Sequence, residues 1–186
     1  MAVYPILSDW DYVRTNAVRV YGDREHWRYI YGGNGELLAN RDKAAEFVRR
    51  KWNAYPAHFK KAVTDTGHTI DELIDHVTGC RVADCSGFVC LITQGIDPNN
   101  PRVPYDMTSG ALYSVCHDIT TPRLGVCGGM LWRSGHVGID VSGGYEVEAS
   151  NEFVDFRLLK ITSTSFTKSG RLPWVDYGKM ICATDR

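Results

Sequence analysis

The chain lacks the features that mark membrane-spanning and nucleic-acid-binding proteins. Its 186 residues contain no apolar run near the roughly 20 residues that a membrane-spanning helix needs. Lys and Arg total 21 against 22 for Asp and Glu, so the net charge of -1 creates no overall field that would attract nucleic acid or an anionic membrane. Asp9 stands where a signal peptide has its apolar stretch, which predicts cytoplasmic synthesis without a Sec signal. We therefore expect no membrane span and no nucleic-acid partner.

Cysteine is also sparse, and this excludes a small disulfide scaffold. None of the six cysteines forms the C-x-x-C pair of zinc ribbons and thiol oxidoreductases. Cys80, Cys85 and Cys90 recur every five residues after His76, but five-residue steps turn successive side chains to different faces of a helix. We therefore expect reduced thiols, no metal site and no other cofactor. The cysteines interpreted as small buried residues are Cys80, Cys90, Cys116, Cys127 and Cys182.

Residues 41–79, called here the helical segment, carry the start signals of consecutive helices. Asn40 can cap the first, whose apolar stripe runs to Trp52. Pro56 can begin the second, and Thr69 to Glu72 have the pattern of a capping box for the third. The sequence therefore predicts three helices in this segment.

The helical segment is rich in positive charge. Between Arg41 and Lys61 seven basic residues stand against two acidic ones. One interpretation is a solvated helix face, and the other is a contact surface for an anionic polymer.

The second half of the chain changes from helical to β patterns. A continuous apolar block within Asp84 to Gln94 predicts a helix at the centre of the domain, and Thr108 can cap a short helix after the loop at Asp97 to Pro101. Strands are predicted at Met130 to Trp132, His136 to Val141, Tyr145 to Ala149, Arg157 to Ile161 and near Tyr177 to Cys182, with a hairpin turn at Ser142 to Gly144. Helices followed by an antiparallel sheet predict one α+β domain over residues 1–186.

Asp84-Cys85-Ser86-Gly87 has the pattern of a reactive cysteine at a helix start. Asp84 can cap the helix and place Cys85 in its first turn, where free N–H groups and the helix dipole favour a thiolate. The alternative is a small buried cysteine without a chemical role. A base close to Cys85 in the fold would favour the interpretation that Cys85 is a nucleophile.

His136 is the candidate base, since it begins a strand whose alternate residues fill the core face. The opposite face then holds His136 and Asp140, so the imidazole can point toward a cleft near Cys85. After the hairpin turn, Glu146 and Glu148 return on one face of the next strand. Either carboxylate could orient the imidazole.

Two motifs together resemble the NlpC-type family of papain-like cell-wall cysteine peptidases. They are Asp84-Cys85-Ser86-Gly87-Phe88-Val89 and Gly135-His136-Val137-Gly138-Ile139, followed by a polar residue at Glu148, twelve positions after the histidine. The resemblance covers residues 80–150 and extends upstream to Tyr29 to Gly33, which is similar to the family's aromatic-glycine element. It implies a papain-like NlpC fold, with the nucleophile helix packed on an antiparallel sheet and residues 41–79 inserted before that helix.

The resemblance also implies a role for each matched residue. Cys85 is the nucleophile, His136 is the base, and Glu148 orients the imidazole from a position where the family most often has a second histidine. The implied cleft residues are Tyr29, Asp84 and Ser86. Asp140 stands where an aromatic residue is common, so we expect it to reshape the substrate cleft.

The implied activity is peptidoglycan hydrolysis at the D-glutamyl–diamino acid bond of the stem peptide, by a monomer that reaches the cell wall after phage lysis or another form of release. A phage-type endolysin is one protein of this kind. The alternatives are an N-acetylmuramoyl-L-alanine amidase with the same three residues, a deamidase or acyltransferase toxin on the same scaffold, and a non-catalytic wall-binding module.

Overall fold

A computed structural model describes residues 4–23, 25–95, 104–122 and 129–178. The helices in these ranges are α1 (Trp10–Gly22), α2 (Arg41–Ala54), α3 (Pro56–Ala62), α4 (Ile70–Val77), α5 (Cys85–Thr93) and α6 (Ser109–Val115). The strands are β1 (Ser8–Asp9), β2 (Trp27–Tyr29), β3 (Asn34–Leu37), β4 (Arg81–Ala83), β5 (His117–Thr120), β6 (Gly129–Arg133), β7 (His136–Ser142), β8 (Tyr145–Ala149), β9 (Phe156–Lys160), β10 (Lys168–Arg171) and β11 (Val175–Asp176). Short 3-10 turns cover Thr64–Thr66 and Ile161–Ser163.

The larger of the sheets has six strands in the order β5-β10-β6-β7-β8-β9, and each neighbouring pair is antiparallel. A smaller sheet has the order β2-β4-β3, in which β2 runs parallel to β4. Strands β1 and β11 form a separate parallel pair. Helices combined with an antiparallel sheet confirm the predicted α+β class.

The main hydrophobic core lies where α1 and α5 pack against the six-stranded sheet. Helix α1 buries Trp10, Val13, Ala17 and Val20, which recur at helical spacing along one face. Every described residue of α5 except Ser86 is buried, as its continuous apolar sequence predicts. The start of α5 is therefore held rigidly in the middle of the protein.

The helical segment has a second core of its own. Phe47 of α2, Phe59 of α3 and Leu73 of α4 meet there, against Ile30 and Val82 from the region of the smaller sheet. These side chains are almost fully buried. The segment thus folds as a packed layer beside the six-stranded sheet and its helices.

The capping signals act as the sequence predicts. The Asn40 side chain accepts from the Lys43 N–H at 3.0 Å, and Thr69 and Glu72 form the reciprocal capping box that begins α4. The hairpin between β7 and β8 turns at Ser142 to Gly144, each with a positive φ. These local predictions are confirmed.

Some elements differ from the prediction. Helix α1 was not predicted, and neither were the strands of the smaller sheet. The final strand covers Val175–Asp176 rather than beginning at Tyr177, because its parallel partner is the short strand Ser8–Asp9. Residues 179–182 of the predicted strand, the loop at 97–101, and Cys127 and Cys182 lie outside the described residues. In the described ranges no helix is long and apolar enough to cross a membrane.

Candidate active site

Cys85, His136 and Tyr29 line the same cleft, which has a volume of about 730 Å³. Cys85 is the first residue of α5, His136 the first of β7 and Tyr29 the last of β2. Helix α5 packs directly on β7, and the backbone N–H of Val137 donates toward the Cys85 sulfur. The fold therefore brings together the predicted nucleophile, the predicted base and the predicted cleft hydroxyl.

The imidazole of His136 is hydrogen-bonded to Glu148, with 2.7 Å between Nε2 and Oε2. The other carboxylate oxygen of Glu148 accepts from the Arg157 guanidinium, whose Nε lies 2.8 Å away. Burial by itself raises the pKa of Glu148, but the hydrogen bonds and charges of His136 and Arg157 outweigh burial and hold that pKa below its ordinary value. An ionised carboxylate can only accept, so Nε2 carries a proton and leaves Nδ1 as the base.

The plane of the His136 ring is fixed by an aromatic neighbour. Phe166 stacks on the imidazole with a centroid separation of 5.6 Å and an interplanar angle of 8°. A Cβ added at Gly138 would lie 3.0 Å from Cζ of Phe166, so the glycine of the histidine motif leaves room for this ring. Stacking and the bond to Glu148 together hold the imidazole in one orientation.

The choice between the two carboxylates of β8 is resolved by hydrogen bonding. Glu148 contacts His136, whereas Glu146 is fully buried and neither of its oxygens has a hydrogen-bond partner among the described residues. Burial, the charge of Glu148 and the charge of Asp140 raise the pKa of Glu146 to about 9. Glu146 is therefore a neutral acid near neutral pH.

The predicted thiolate at Cys85 is not the resting state. The residue is only 8% exposed, and burial together with the Asp84 carboxyl raises the pKa of the thiol to about 12. The N–H groups of Val137, Ser86 and Cys85 itself act in the opposite direction but are outweighed. The N–H groups at the start of α5 therefore do not lower the pKa of Cys85 enough to offset the effect of its burial.

Asp84 and Ser86, predicted as cleft residues, do not lie among the side chains that line the cleft. Oδ1 of Asp84 accepts from the Gly87 N–H at 2.7 Å and from the Ser86 hydroxyl at 2.9 Å, and Oδ2 accepts from the Gly32 N–H at 2.9 Å. Both side chains are occupied in capping α5 and in joining its first turn to the glycine turn after Tyr29. Their role in this structure is to position Cys85.

Gly87 allows α5 to approach the glycine turn closely. A Cβ at this position would collide with the carbonyl oxygen of Gly33. The glycine of the cysteine motif is therefore required by packing, since it lets the helix start lie against residues 32 and 33.

Asp140 does not reshape the cleft as the sequence predicts. It is buried, its Oδ1 accepts from the Ser142 N–H at 2.8 Å, and it lies opposite Glu146 in the register of β7 and β8. Burial raises its pKa to about 6. Asp140 is not among the residues that line the cleft.

The far wall of the cleft comes from the helical segment and was not predicted. The lining residues from this segment are His58, Lys61, Ala62, Thr66 and His68, and those after β8 are Ser150, Asn151, Phe153 and Val154. The helical segment contacts the chain after β8, because the ring centroids of His68 and Phe153 are stacked 3.9 Å apart and His58 Nε2 lies 2.8 Å from Oε1 of the buried Glu152. A further contact joins His76 Nε2 to Oδ2 of Asp155 at 3.0 Å.

The positive charges of the helical segment have different surroundings. Arg41 forms ion pairs with Asp75 and Asp71, and Lys51 donates to the carbonyl oxygen of Gly32. Lys61 lines the cleft. The segment is therefore not a uniform basic face.

Among the described residues, no group of three or more His, Cys, Asp or Glu side chains is arranged to hold a metal ion. Comparison with models of known protein families, with curated proteins and with solved structures found no match for this chain.

We expect Glu146→Gln to change how stability depends on pH. The pKa of the Glu146 carboxyl is about 9 in the folded protein, against an ordinary value of 4.5. Between these two values the folded state binds a proton that the unfolded state has lost, so the free energy of unfolding of wild type falls as pH rises. The loss is at most about 1.4 kcal/mol per pH unit for one proton. Glutamine cannot ionise, so the variant should gain stability relative to wild type between about pH 6 and about pH 8.

Urea unfolding followed by tryptophan fluorescence at these two pH values measures the difference. The exposed residue Glu25, changed to Gln, is the control and should give a profile parallel to wild type. A parallel profile for Glu146→Gln as well would mean that Glu146 is already ionised in the folded protein.

Proposed function

We propose that this protein is a cysteine amidohydrolase of the papain-like NlpC type that cleaves an amide bond in the peptidoglycan stem peptide, at the D-glutamyl–diamino acid position. The observation that carries the proposal is the oriented imidazole of His136, bonded to Glu148, in the cleft that Cys85 also lines. These are the three residues that the cysteine and histidine motifs predict. The substrate class rests on the resemblance of those motifs.

The first chemical step is attack of the Cys85 sulfur on the amide carbonyl carbon. Because the resting thiol is neutral, Nδ1 of His136 removes the S–H proton as the new S–C bond forms. Glu148 is ionised and hydrogen-bonded to Nε2, so it stabilises the imidazolium that results. Arg157 holds Glu148 in place from the opposite side.

Collapse of the tetrahedral intermediate completes the acyl transfer. The imidazolium gives its proton to the leaving nitrogen, the C–N bond breaks, and a thioester remains on Cys85. Water, deprotonated by His136, then attacks the thioester, and the products are a carboxylic acid and the free thiol. Backbone N–H groups at the start of α5 are the donors available to the oxyanion.

The cleft has a size suited to a short peptide. Its volume of about 730 Å³ falls within the range of roughly 300–1,000 Å³ that is typical of ligand-binding pockets. Aromatic and polar side chains line it together, as a peptide with several amide groups would require. We further propose that the protein acts as a monomer on the cell wall after release from the cell that makes it.

Digestion of purified cell walls tests the proposal. Walls of several stem-peptide types are incubated with wild type and with the Cys85→Ala protein, and released fragments are analysed by mass spectrometry after labelling of new amines. We expect wild type alone to release fragments with the amino group of the diamino acid newly free. That result would support an endopeptidase of the D-glutamyl–diamino acid type.

Other outcomes separate the alternatives. A new amine on L-alanine would identify an N-acetylmuramoyl-L-alanine amidase that uses the same residues. Absence of any new amine with every wall type would contradict a wall hydrolase. Modification of a host protein or lipid would then favour a deamidase or acyltransferase.

A further inference from the structure

The charged side chains that line the cleft are all cationic. Lys61 and Arg133 are among the lining residues, and the lining contains no Asp or Glu. Within the described ranges neither cation has an ion pair or hydrogen bond to another residue. Two unpaired cations on a concave surface that lacks carboxylates create a positive field focused into the cleft.

The two cations stand on different walls. Lys61 belongs to α3 of the helical segment, whereas Arg133 is the last residue of β6. Arg133 lies directly opposite His136 in the antiparallel register, so the two side chains share one face of the sheet. Arg133 and His136 are therefore neighbours on the side of the sheet that borders the cleft.

Two carboxylates near this cleft, Glu148 and Glu152, are hydrogen-bonded to histidines that line it. Glu148 bonds His136 and Arg157, and Glu152 is fully buried and bonds His58. Neither of them lines the cleft. The positive charge of Lys61 and Arg133 is consequently available to a ligand.

We propose that the cleft selects peptides with a free carboxylate beside the scissile amide, and that Arg133 and Lys61 are the residues that recognise it. The inference rests on the proposed amidohydrolase function and narrows its substrate to acidic peptides. In a stem peptide this group is the α-carboxylate of the γ-linked D-glutamate. A guanidinium and a carboxylate form charge-assisted, often bidentate hydrogen bonds that a neutral carboxamide cannot reproduce.

Binding to the Cys85→Ala protein tests this recognition without turnover. Isothermal titration calorimetry compares two synthetic peptides, L-Ala-γ-D-Glu-diamino acid with the α-carboxylate free and the same peptide with an α-carboxamide. We expect the carboxylate form to bind at least about tenfold more tightly at low salt. Added salt should reduce the difference, because it screens exposed charges.

Variants of Arg133 and Lys61 test whether these two residues cause the preference for the carboxylate peptide. In the Cys85→Ala background, Arg133→Gln or Lys61→Gln should reduce the preference for the carboxylate to about threefold or less. Lys60→Gln is the matched control, since Lys60 adjoins Lys61 on α3 but does not line the cleft, and it should keep the full preference. Equal affinity for the two peptides, absence of binding, or an unchanged preference in both Gln variants would overturn the inference.

Turnover by wild type distinguishes this inference from the proposed function. Equal hydrolysis of both peptides would contradict carboxylate selection and leave the hydrolase in place. Selective binding of the carboxylate peptide without hydrolysis of either peptide would support the recognition and contradict the stem-peptide hydrolase.

Discussion

Changing Cys85 to alanine should lower kcat for stem-peptide hydrolysis by at least about 10⁴-fold, because Cys85 is the only thiol among the described residues that line the cleft. The variant should fold normally, since it loses only the hydrogen bond from the Val137 N–H to the sulfur, while α5 stays held by its buried apolar side chains. Residual activity would come only from bound water positioned by the cleft. Kinetics with a synthetic stem peptide, together with a thermal unfolding curve, measure both quantities.

Cys90→Ala is the matched control for this prediction. Cys90 lies on the same helix, is buried and has a thiol pKa that burial also raises to about 12, but it does not line the cleft. Its variant should keep kcat within about threefold of wild type. Equal loss of activity in the two variants would show that the helix, rather than the Cys85 sulfur, is what the substitutions disturb.

Glu148→Gln should reduce kcat by about 10³-fold while KM changes by less than about threefold. Glutamine fills the same space but carries no charge, so the imidazolium formed during attack loses its counter-ion. The amide can also donate to Nε2, which favours the tautomer with a proton on Nδ1. That tautomer cannot take the proton of Cys85.

Glu146→Gln provides the comparison, since Glu146 lies two residues earlier on the same face of β8 and makes no bond to His136. Its kcat should stay within about twofold of wild type. A Glu148→Gln protein with nearly normal kcat would refute the orienting role of the carboxylate. A large increase in KM would instead place Glu148 in substrate binding.

The parts of the site that the sequence predicts are those set by local chemistry. Asp84 precedes an apolar run and caps it, which places Cys85 at a helix start. The hairpin turn fixes the register of the strands that carry His136 and Glu148, so their meeting follows from strand alternation. Arg157 could have been found by the same reasoning, because it lies opposite Glu148 in the register of β8 and β9.

The parts that escaped prediction depend on tertiary packing. The neutral state of the Cys85 thiol follows from burial between elements distant in sequence, and the local sequence pattern does not predict that burial. The far wall requires knowing how α3 docks against the loop after β8. Helix α1 is different, since Asp9 caps it and its apolar residues recur at helical spacing, but interspersed polar and aromatic residues obscured the pattern.

The second hydrophobic core allows the helical segment to evolve separately from the catalytic residues. Phe59 and its neighbours fix the position of α3, and this core is built from residues outside α5 and the six-stranded sheet. Substitutions there can shift Lys61 and the far wall while the bond between His136 and Glu148 stays intact. Natural variation confined to the helical segment would diversify which peptides are accepted and leave the underlying reaction constant.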